Sequence, residues 1–202
     1  MLTQTQEQIL AFLLSHPEER LTIRGVARKL DKSYTLVYNN IAILEKKKVI
    51  KKQSVPPGQI ITLNEFAPTH IFVDIEFKRK KELMQKHLWI QLMLEDILSF
   101  TRNPFFILLV FGSYAKGIQT IKSDLDLLII VQDKKDIKEI EDAFHETYTK
   151  VKKTLNFVDI NDFKEMISNP NTLNIGNEAK KSHIILYGVE EYYGLLKKIY
   201  KK

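Results

Sequence analysis

Two apolar runs constrain this chain more than anything else in it. Residues 105–111 read Phe-Phe-Ile-Leu-Leu-Val-Phe, and residues 125–131 read Leu-Asp-Leu-Leu-Ile-Ile-Val. Continuous apolar character over so short a length predicts strands buried on both faces. Neither run approaches the roughly 20 residues needed to cross a bilayer. Between them lie Gly112-Ser113-Tyr114-Ala115-Lys116-Gly117 and then Ser123-Asp124-Leu125-Asp126. A Gly-Ser turn alone is common, and so is Asp-x-Asp at a solvated strand end. Their order is what carries information: an apolar strand, Gly-Ser, ten residues, then Asp-x-Asp opening a second apolar strand, predicted over 124–131.

Alternate residues of a strand share a face, so Asp124 and Asp126 are predicted to point the same way. At a rise of about 3.3 Å per residue their Cα atoms would lie roughly 6.5–7 Å apart. Two carboxylates so placed suit divalent ions about 3.5–4 Å apart, and left bare they would repel one another. Gly112, lacking Cβ, admits a phosphate close to the backbone. Ser113 adds a hydroxyl and an amide, and Lys116 a positive charge. The predicted site therefore holds Mg²⁺ or Mn²⁺ on Asp124 and Asp126, with the phosphates of a nucleoside triphosphate on Gly112, Ser113 and Lys116. ATP is the first candidate.

The segment before this motif has a different pattern. Residues 3–14 place Ile9, Leu10, Phe12 and Leu13 on one helical stripe, which His16-Pro17 ends. Thr22 is a predicted N-cap for a short helix over 23–30. Ser33 or Thr35 caps a longer one to about residue 47, with Val37, Ile41 and Leu44 at helical spacing. Residues 49–53 and 59–64 read as strands around the Pro56-Pro57-Gly58 tip. Residues 66–100 are predicted as one long helix or a pair, with Pro68 and Asn103-Pro104 as punctuation. Beyond the motif, 133–149 is predicted helical and 155–160 a strand, with helices over 161–168, 175–185 and 190–199. The expected fold is a winged helix-turn-helix over 1–66, then a small α/β (α+β) domain over 67–202. In that second domain 67–100 forms a connecting helical segment and helices flank a mixed sheet.

Gly112-Ser113, Ala115, Gly117, Ser123, Asp124 and Asp126 resemble the signature of the DNA polymerase β-like nucleotidyltransferase superfamily, in its minimal nucleotidyltransferase form. Lys116 stands where arginine is more usual, which keeps the charge and loses the bidentate fork. The resemblance implies a metal-dependent transfer of NMP from an NTP to an acceptor hydroxyl on a protein, an RNA or a small molecule. It also implies a third carboxylate on a later strand. Asp159, flanked by Val158 and Ile160, is the expected metal ligand and proton acceptor, and the full set is then Asp124, Asp126 and Asp159. Two alternatives stand beside it: Asp159 as the N-cap of the next helix, and Asp162 as the acid. His183 fits a packed or surface histidine, and the five histidines show no metal-ligand spacing.

Residues 1–66 resemble the winged helix-turn-helix domains of prokaryotic regulators. Duplex DNA is then an expected partner, read by Lys32, Ser33, Tyr34, Thr35, Tyr38 and Asn39 at the start of the recognition helix. Arg24 and Arg28 would support phosphate contacts, with Lys51, Lys52 and the 56–58 tip as the wing. Charge agrees: residues 1–66 carry ten Lys/Arg against six Asp/Glu, and the rest 21 against 19, within a chain of formal charge +6. A protein-binding or dimerising winged helix is the competing use, and 66–100 is a candidate homodimer element. The absence of cysteine excludes disulfides, thiol nucleophiles and zinc fingers. The polar start at Met1 is unlike a signal peptide, so a cytoplasmic protein without a membrane partner is expected. The alternative to an enzyme is a nucleotide-sensing transcription regulator whose transferase domain is weak or inactive. Three aspartates in one site would favour the enzyme.

Overall fold

The computed structural model describes residues 2–17, 19–56, 58–102 and 105–200. The expected turn at Pro57 and the punctuation at Asn103-Pro104 lie outside the described residues. The chain forms ten α-helices and seven strands among these residues, in two sheets.

The first module is a winged helix-turn-helix. Helix α1 (Gln4–Ser15) opens on a capping box, in which Thr3 accepts from the Gln6 N–H and the Gln6 side chain returns to the Thr3 N–H. Strand β1 (Leu21–Thr22) leads into α2 (Ile23–Lys29), capped by Thr22 as expected. Asp31, at φ 51°, makes the left-handed turn into α3 (Tyr34–Lys46). Ser33, not Thr35, caps α3 by accepting from the Leu36 N–H. Strands β2 (Ile50–Val55) and β3 (Gly58–Leu63) form the hairpin, and β1 pairs with β3 to give the order β1-β3-β2. Val26, Val37, Ile41 and Leu44 fill the space beneath, each fully buried.

The connector is two helices, α4 (Thr69–Lys86) and α5 (Leu88–Phe100). They break at His87, whose φ −137° and ψ 72° are not helical. Inside α4, Glu76 and Arg79 form a buried ion pair with Nη1 at 2.7 and 2.8 Å from the two carboxylate oxygens. Arg79 Nη2 donates to the carbonyl of His183 at 2.7 Å, and Tyr193 Oη donates to Glu76 at 3.0 Å. Both charges thus have hydrogen-bond partners beyond each other, which is what makes a buried charge pair tolerable.

The second sheet has the order β6-β5-β4-β7. Strand β4 (Phe106–Phe111) runs antiparallel to β5 (Leu125–Val131) and to β7 (His183–Tyr187), while β6 (Lys153–Asp159) is parallel to β5. Helix α6 (Gly112–Lys116) and the loop to Asp124 join β4 to β5. Helix α7 (Ile137–Glu146) crosses from β5 to β6, and α8 (Ile160–Ser168), α9 (Ile175–Lys181) and α10 (Val189–Tyr200) follow. One sheet face, bearing Leu127, Ile129 and Val131, packs with Ile90, Ile97 and Phe144. The other face, bearing Leu128 and Ile130, belongs to a core that continues through Phe163 and Tyr192 into the winged helix. The two domains therefore share a core.

One element departs from the expected pattern. The sequence predicts one helix over 175–185, yet the helix stops at Lys181 and His183–Tyr187 is an edge strand beside β4. The reason is burial: Ile184, Ile185 and Leu186 are buried together, so successive side chains point to both sheet faces. Consecutive large residues at such sites suit a strand and would leave a one-sided helix with an apolar face in water.

Replacing Arg79 by Met should lower unfolding stability by about 3–5 kcal/mol, because it leaves Glu76 charged and buried without its partner. Urea unfolding followed by circular dichroism measures this, and a loss under about 1 kcal/mol would show that α4 is not held by the pair.

Candidate functional site

Strand β4 ends at Phe111, which pairs with Asp126 on β5. The next residue, Gly112, has φ +67°, where side chains are strained, and a Cβ there would overlap Asp126 Oδ2. The glycine is thus required twice, by backbone conformation and by the carboxylate lying against it. The same contact brings the Gly-Ser turn and the Asp-x-Asp segment together. Helix α6 is short and ends on Gly117 at φ 68°, whose N–H returns to Ser113 and Tyr114 carbonyls. Tyr114 anchors it from below, wedged edge-on against His87 and Trp89 at the α4–α5 elbow. Gln119 Nε2 lies 2.9 Å from His87 Nε2, and Ser123 turns the loop by hydrogen bonds with Thr120. Neither His87 nor Tyr114 carries a sequence signal for this role; only the fold brings them beneath the loop.

Asp124 sits just before β5 rather than inside it, half-buried, with Lys152 Nζ 3.5 Å from its Oδ2. Asp126 is the second residue of β5, also half-buried. Its pKa is raised above the usual carboxylate value, chiefly by burial and then by the charges of Glu178 and Asp124. Glu178, on the exposed side of α9, is a neighbour the sequence did not suggest. Ser113 is half-buried and Lys116 is exposed beyond it. The structure thus gathers Gly112, Ser113, Asp124 and Asp126, with Lys116 one turn away.

Asp159 does not join them. In the parallel pair β5–β6, Asp126 is level with Thr154, whereas Asp159 is level with Val131. Five residues at about 3.3 Å put Asp159 roughly 16 Å further along the sheet. Odd spacing also puts it on the opposite face. Its carboxylate caps α8 instead, accepting from Asn161 N–H at 2.7 Å and Asp162 N–H at 2.8 Å. These hydrogen bonds, with Lys134 nearby, hold its pKa below the usual value. Asp162 pairs with Lys134 at 2.9 Å and serves the same helix start. The expectation of a third aspartate at 159 is therefore corrected: the capping alternative describes it. The positions on β6 that share Asp126's face at its end of the sheet are Thr154 and Asn156, and neither is a carboxylate. Asn156 donates to the Leu127 carbonyl at 3.1 Å. Among the described residues no three His, Cys, Asp or Glu side chains are grouped to hold a metal. The donor set fits one hard divalent cation on Asp124 and Asp126, whose mutual repulsion it would relieve, with ligand phosphates completing its shell.

On the winged helix, Ser33, Tyr34, Thr35, Tyr38 and Asn39 are exposed along one end of α3, and Lys32 is half-buried. Tyr34 and Tyr38 stack at 5.9 Å. Arg20, Arg24 and Tyr34 line a groove against the wing residues Gly58 and Gln59. Arg20 was not among the expected contacts. The wing lysines are paired, Lys51 with Glu65 at 2.9 Å and Lys52 with Glu45 at 2.7 Å. Such exposed pairs are weak.

Residues 93–187 match the family model described as Polymerase beta, Nucleotidyltransferase. The likeness to a nucleotidyltransferase domain is thus confined to those residues, just under half of the chain. No curated protein matches the chain. Solved structures of Staphylococcus aureus MepR resemble parts of it. A point mutant of MepR from a multidrug resistant clinical isolate is 26% identical at a TM-score of 0.35, over 45% of this chain and 64% of that one. The MepR–DNA complex is 25% identical at 0.32, over 48% and 78%. MepR itself, a transcription regulator of the multidrug efflux pump MepA, is 20% identical at 0.34, over 48% and 78%. The chain thus spans under two thirds of the mutant MepR. The winged-helix assignment rests on the order of helices and strands over residues 2–66. No helix among the described residues is long and apolar enough to cross a membrane.

Two outcomes follow from this geometry. With its pKa raised, Asp126 costs stability once ionised: stability falls as pH rises from 3.8 through the raised value. Asp126→Asn should therefore melt higher than wild type at pH 7, and the gap should close below pH 3.8 and on adding Mg²⁺ to wild type. Gly112→Ala should cost about 1–3 kcal/mol from the left-handed backbone alone, and displace Asp126. Calorimetry across pH and a Mg²⁺ titration read both, and a Gly112→Ala protein with unchanged stability would contradict the close packing.

Proposed function

We propose that this chain is a winged-helix DNA-binding regulator whose nucleotidyltransferase domain binds a nucleoside triphosphate with Mg²⁺ or Mn²⁺. The observation that carries the reading is the carboxylate set. Asp126 lies against Gly112 and feels the charge of Asp124, while the adjoining strand offers Thr154 and Asn156 beside Asp126 and no third acid. Two carboxylates hold a cation against the phosphates. Deprotonating an acceptor hydroxyl needs a further base, usually worth about 10²–10⁴-fold in rate. In this reading the Gly112–Lys116 segment orients the β and γ phosphates, and Lys116 neutralises them. The link to the DNA module is spatial: Lys116 and Gly117 line a cleft of about 840 Å³ whose other wall includes Phe12 and His16 of the first module.

The second reading is nucleotidyl transfer itself, favoured by the family match over 93–187 and the intact Gly-Ser and Asp-x-Asp segments. An acceptor hydroxyl on a protein, RNA or small molecule would attack the α-phosphorus, and pyrophosphate would leave.

Incubation with Mg²⁺, α-labelled NTPs and cell extract separates the readings. Regulation is expected to give Mg²⁺-dependent nucleotide retention, lost in Asp124→Asn, a DNA affinity that changes with nucleotide, and no covalent label. Label on a protein or RNA that disappears in Asp124→Asn would replace it with the transferase reading. For the DNA face, Lys32→Ala with Tyr38→Ala should weaken duplex binding and leave nucleotide binding unchanged. Arg20→Ala and Arg24→Ala should each flatten the salt dependence by about one unit of slope. No duplex binding by wild type at low salt would end the DNA reading.

A further inference from the structure

The two aspartates have a basic neighbour on the side of the sheet away from the Gly-Ser turn. Asp124 immediately precedes β5, and β5 lies between β4 and β6. On the β4 side, Phe111 is level with Asp126 and leads into Gly112 and α6. On the β6 side, Leu125 is level with Lys153, and the Leu125 N–H donates to the Lys152 carbonyl at 2.8 Å. Lys152 Nζ lies 3.5 Å from Asp124 Oδ2. The carboxylate pair is therefore flanked by Lys116 from one neighbouring strand and Lys152 from the other.

The residues around Lys152 fix its backbone and leave its side chain free to move. Val151 packs partly buried against the core cluster that holds Leu125 and Leu127. Lys153 turns its ammonium to the end of α7 and donates to the Phe144 and Thr147 carbonyls. Lys152, between them, has its carbonyl held by Leu125, yet its side chain is 78% exposed. Asp124 is its ion-pair partner, and so exposed a pair contributes little, so the ammonium can leave at small cost. Lysine suits a change of partner, being a compact charge on a flexible stem. A hard divalent cation contacts carboxylate oxygens at about 2.0–2.6 Å, which excludes the ammonium from the same oxygen. Once displaced, that ammonium stays within a side chain's length of the cation and of any phosphate bound to it.

Building on the nucleoside triphosphate reading, we propose that Lys152 is a second phosphate-binding lysine that changes partner as the site fills. It neutralises Asp124 by itself, yields that carboxylate to the divalent cation, and then meets the triphosphate from the β6 side while Lys116 meets it from the α6 side. Lys152 thus opposes a bare cation, whose charge it repels, and supports a cation that arrives with phosphates. The favoured ligand is a metal-complexed polyphosphate tail rather than either component alone.

The test uses the full chain. Electron paramagnetic resonance reads Mn²⁺ binding without nucleotide, and calorimetry reads binding of ATP, GTP, CTP and UTP as their Mg²⁺ complexes. Lys152→Ala should bind Mn²⁺ about two- to fivefold more tightly, because a competing charge is gone. The same variant should bind the preferred nucleotide about tenfold more weakly, the usual worth of a hydrogen bond to a charged group. Lys152→Arg keeps the charge and should stay within about threefold of wild type for nucleotide. Lys150→Ala removes an exposed charge of the same sign two residues away and should move neither affinity by more than about twofold. Melting curves verify that each variant is folded. A purely structural role for Lys152 would not move the two affinities in opposite directions. The proposal fails if Lys152→Ala shifts both the same way, if it leaves either unchanged, or if Lys150→Ala matches it. Wild type that retains none of the four nucleotides would overturn the nucleoside triphosphate reading and this proposal together. Wild type that binds one while Lys152→Ala behaves identically would overturn this proposal alone.

Discussion

The Glu76–Arg79 pair is the interaction on which the arrangement of this molecule depends. Arg79 spends one side of its guanidinium on Glu76 and the other on the His183 carbonyl, while Tyr193 completes Glu76. Three elements distant in sequence, α4, β7 and α10, are therefore fixed by one buried charge pair. A buried charge is expensive unless its donors and acceptors are matched, so this geometry tolerates little displacement. Since β7 pairs with β4, and β4 ends at Gly112, the connector helix is held rigidly to the strand that presents the candidate site. Helix α4 also packs against α1, which makes the winged helix part of the same body.

The site is built from a contact as much as from a motif. The Asp126 carboxylate fills the space that a side chain at 112 would need, so the Gly-Ser turn can close only over this strand. Burial and the nearby charges of Glu178 and Asp124 make the ionised Asp126 unfavourable when bare, which is a physical reason for a cation there. The parallel register of β5 and β6 then sets the limit of the site. It carries Asp159 to the other end and the other face of the sheet, and it leaves Thr154 and Asn156 beside Asp126.

Much of the fold is legible in the residues. The caps at Thr22 and Ser33 and the spacing of Val37, Ile41 and Leu44 announce the helices of the first module. The apolar runs before Gly112 and after Asp124 announce two central strands. Segment 175–185 misleads because its first half carries helical signals and its second half, His-Ile-Ile, reads equally as buried helix or strand. Only pairing with β4 decides between them. Asp159 misleads for a related reason: an aspartate between Val158 and Ile160 looks costly, and the backbone N–H groups of α8 that satisfy it are visible only once the helix is in place.

By itself the sequence determined the local choices: where helices start, which turn needs a glycine, that two aspartates share a strand end, and that the first module carries excess positive charge. Those follow from backbone sterics, capping and periodicity, which act within a few residues. The tertiary structure alone decided the strand register that separates Asp159 from Asp126, the edge position of β7, and the buried pair that binds connector to sheet. Each of these depends on which surfaces meet between segments far apart in the chain, and packing settles that globally through burial and hydrogen-bond matching.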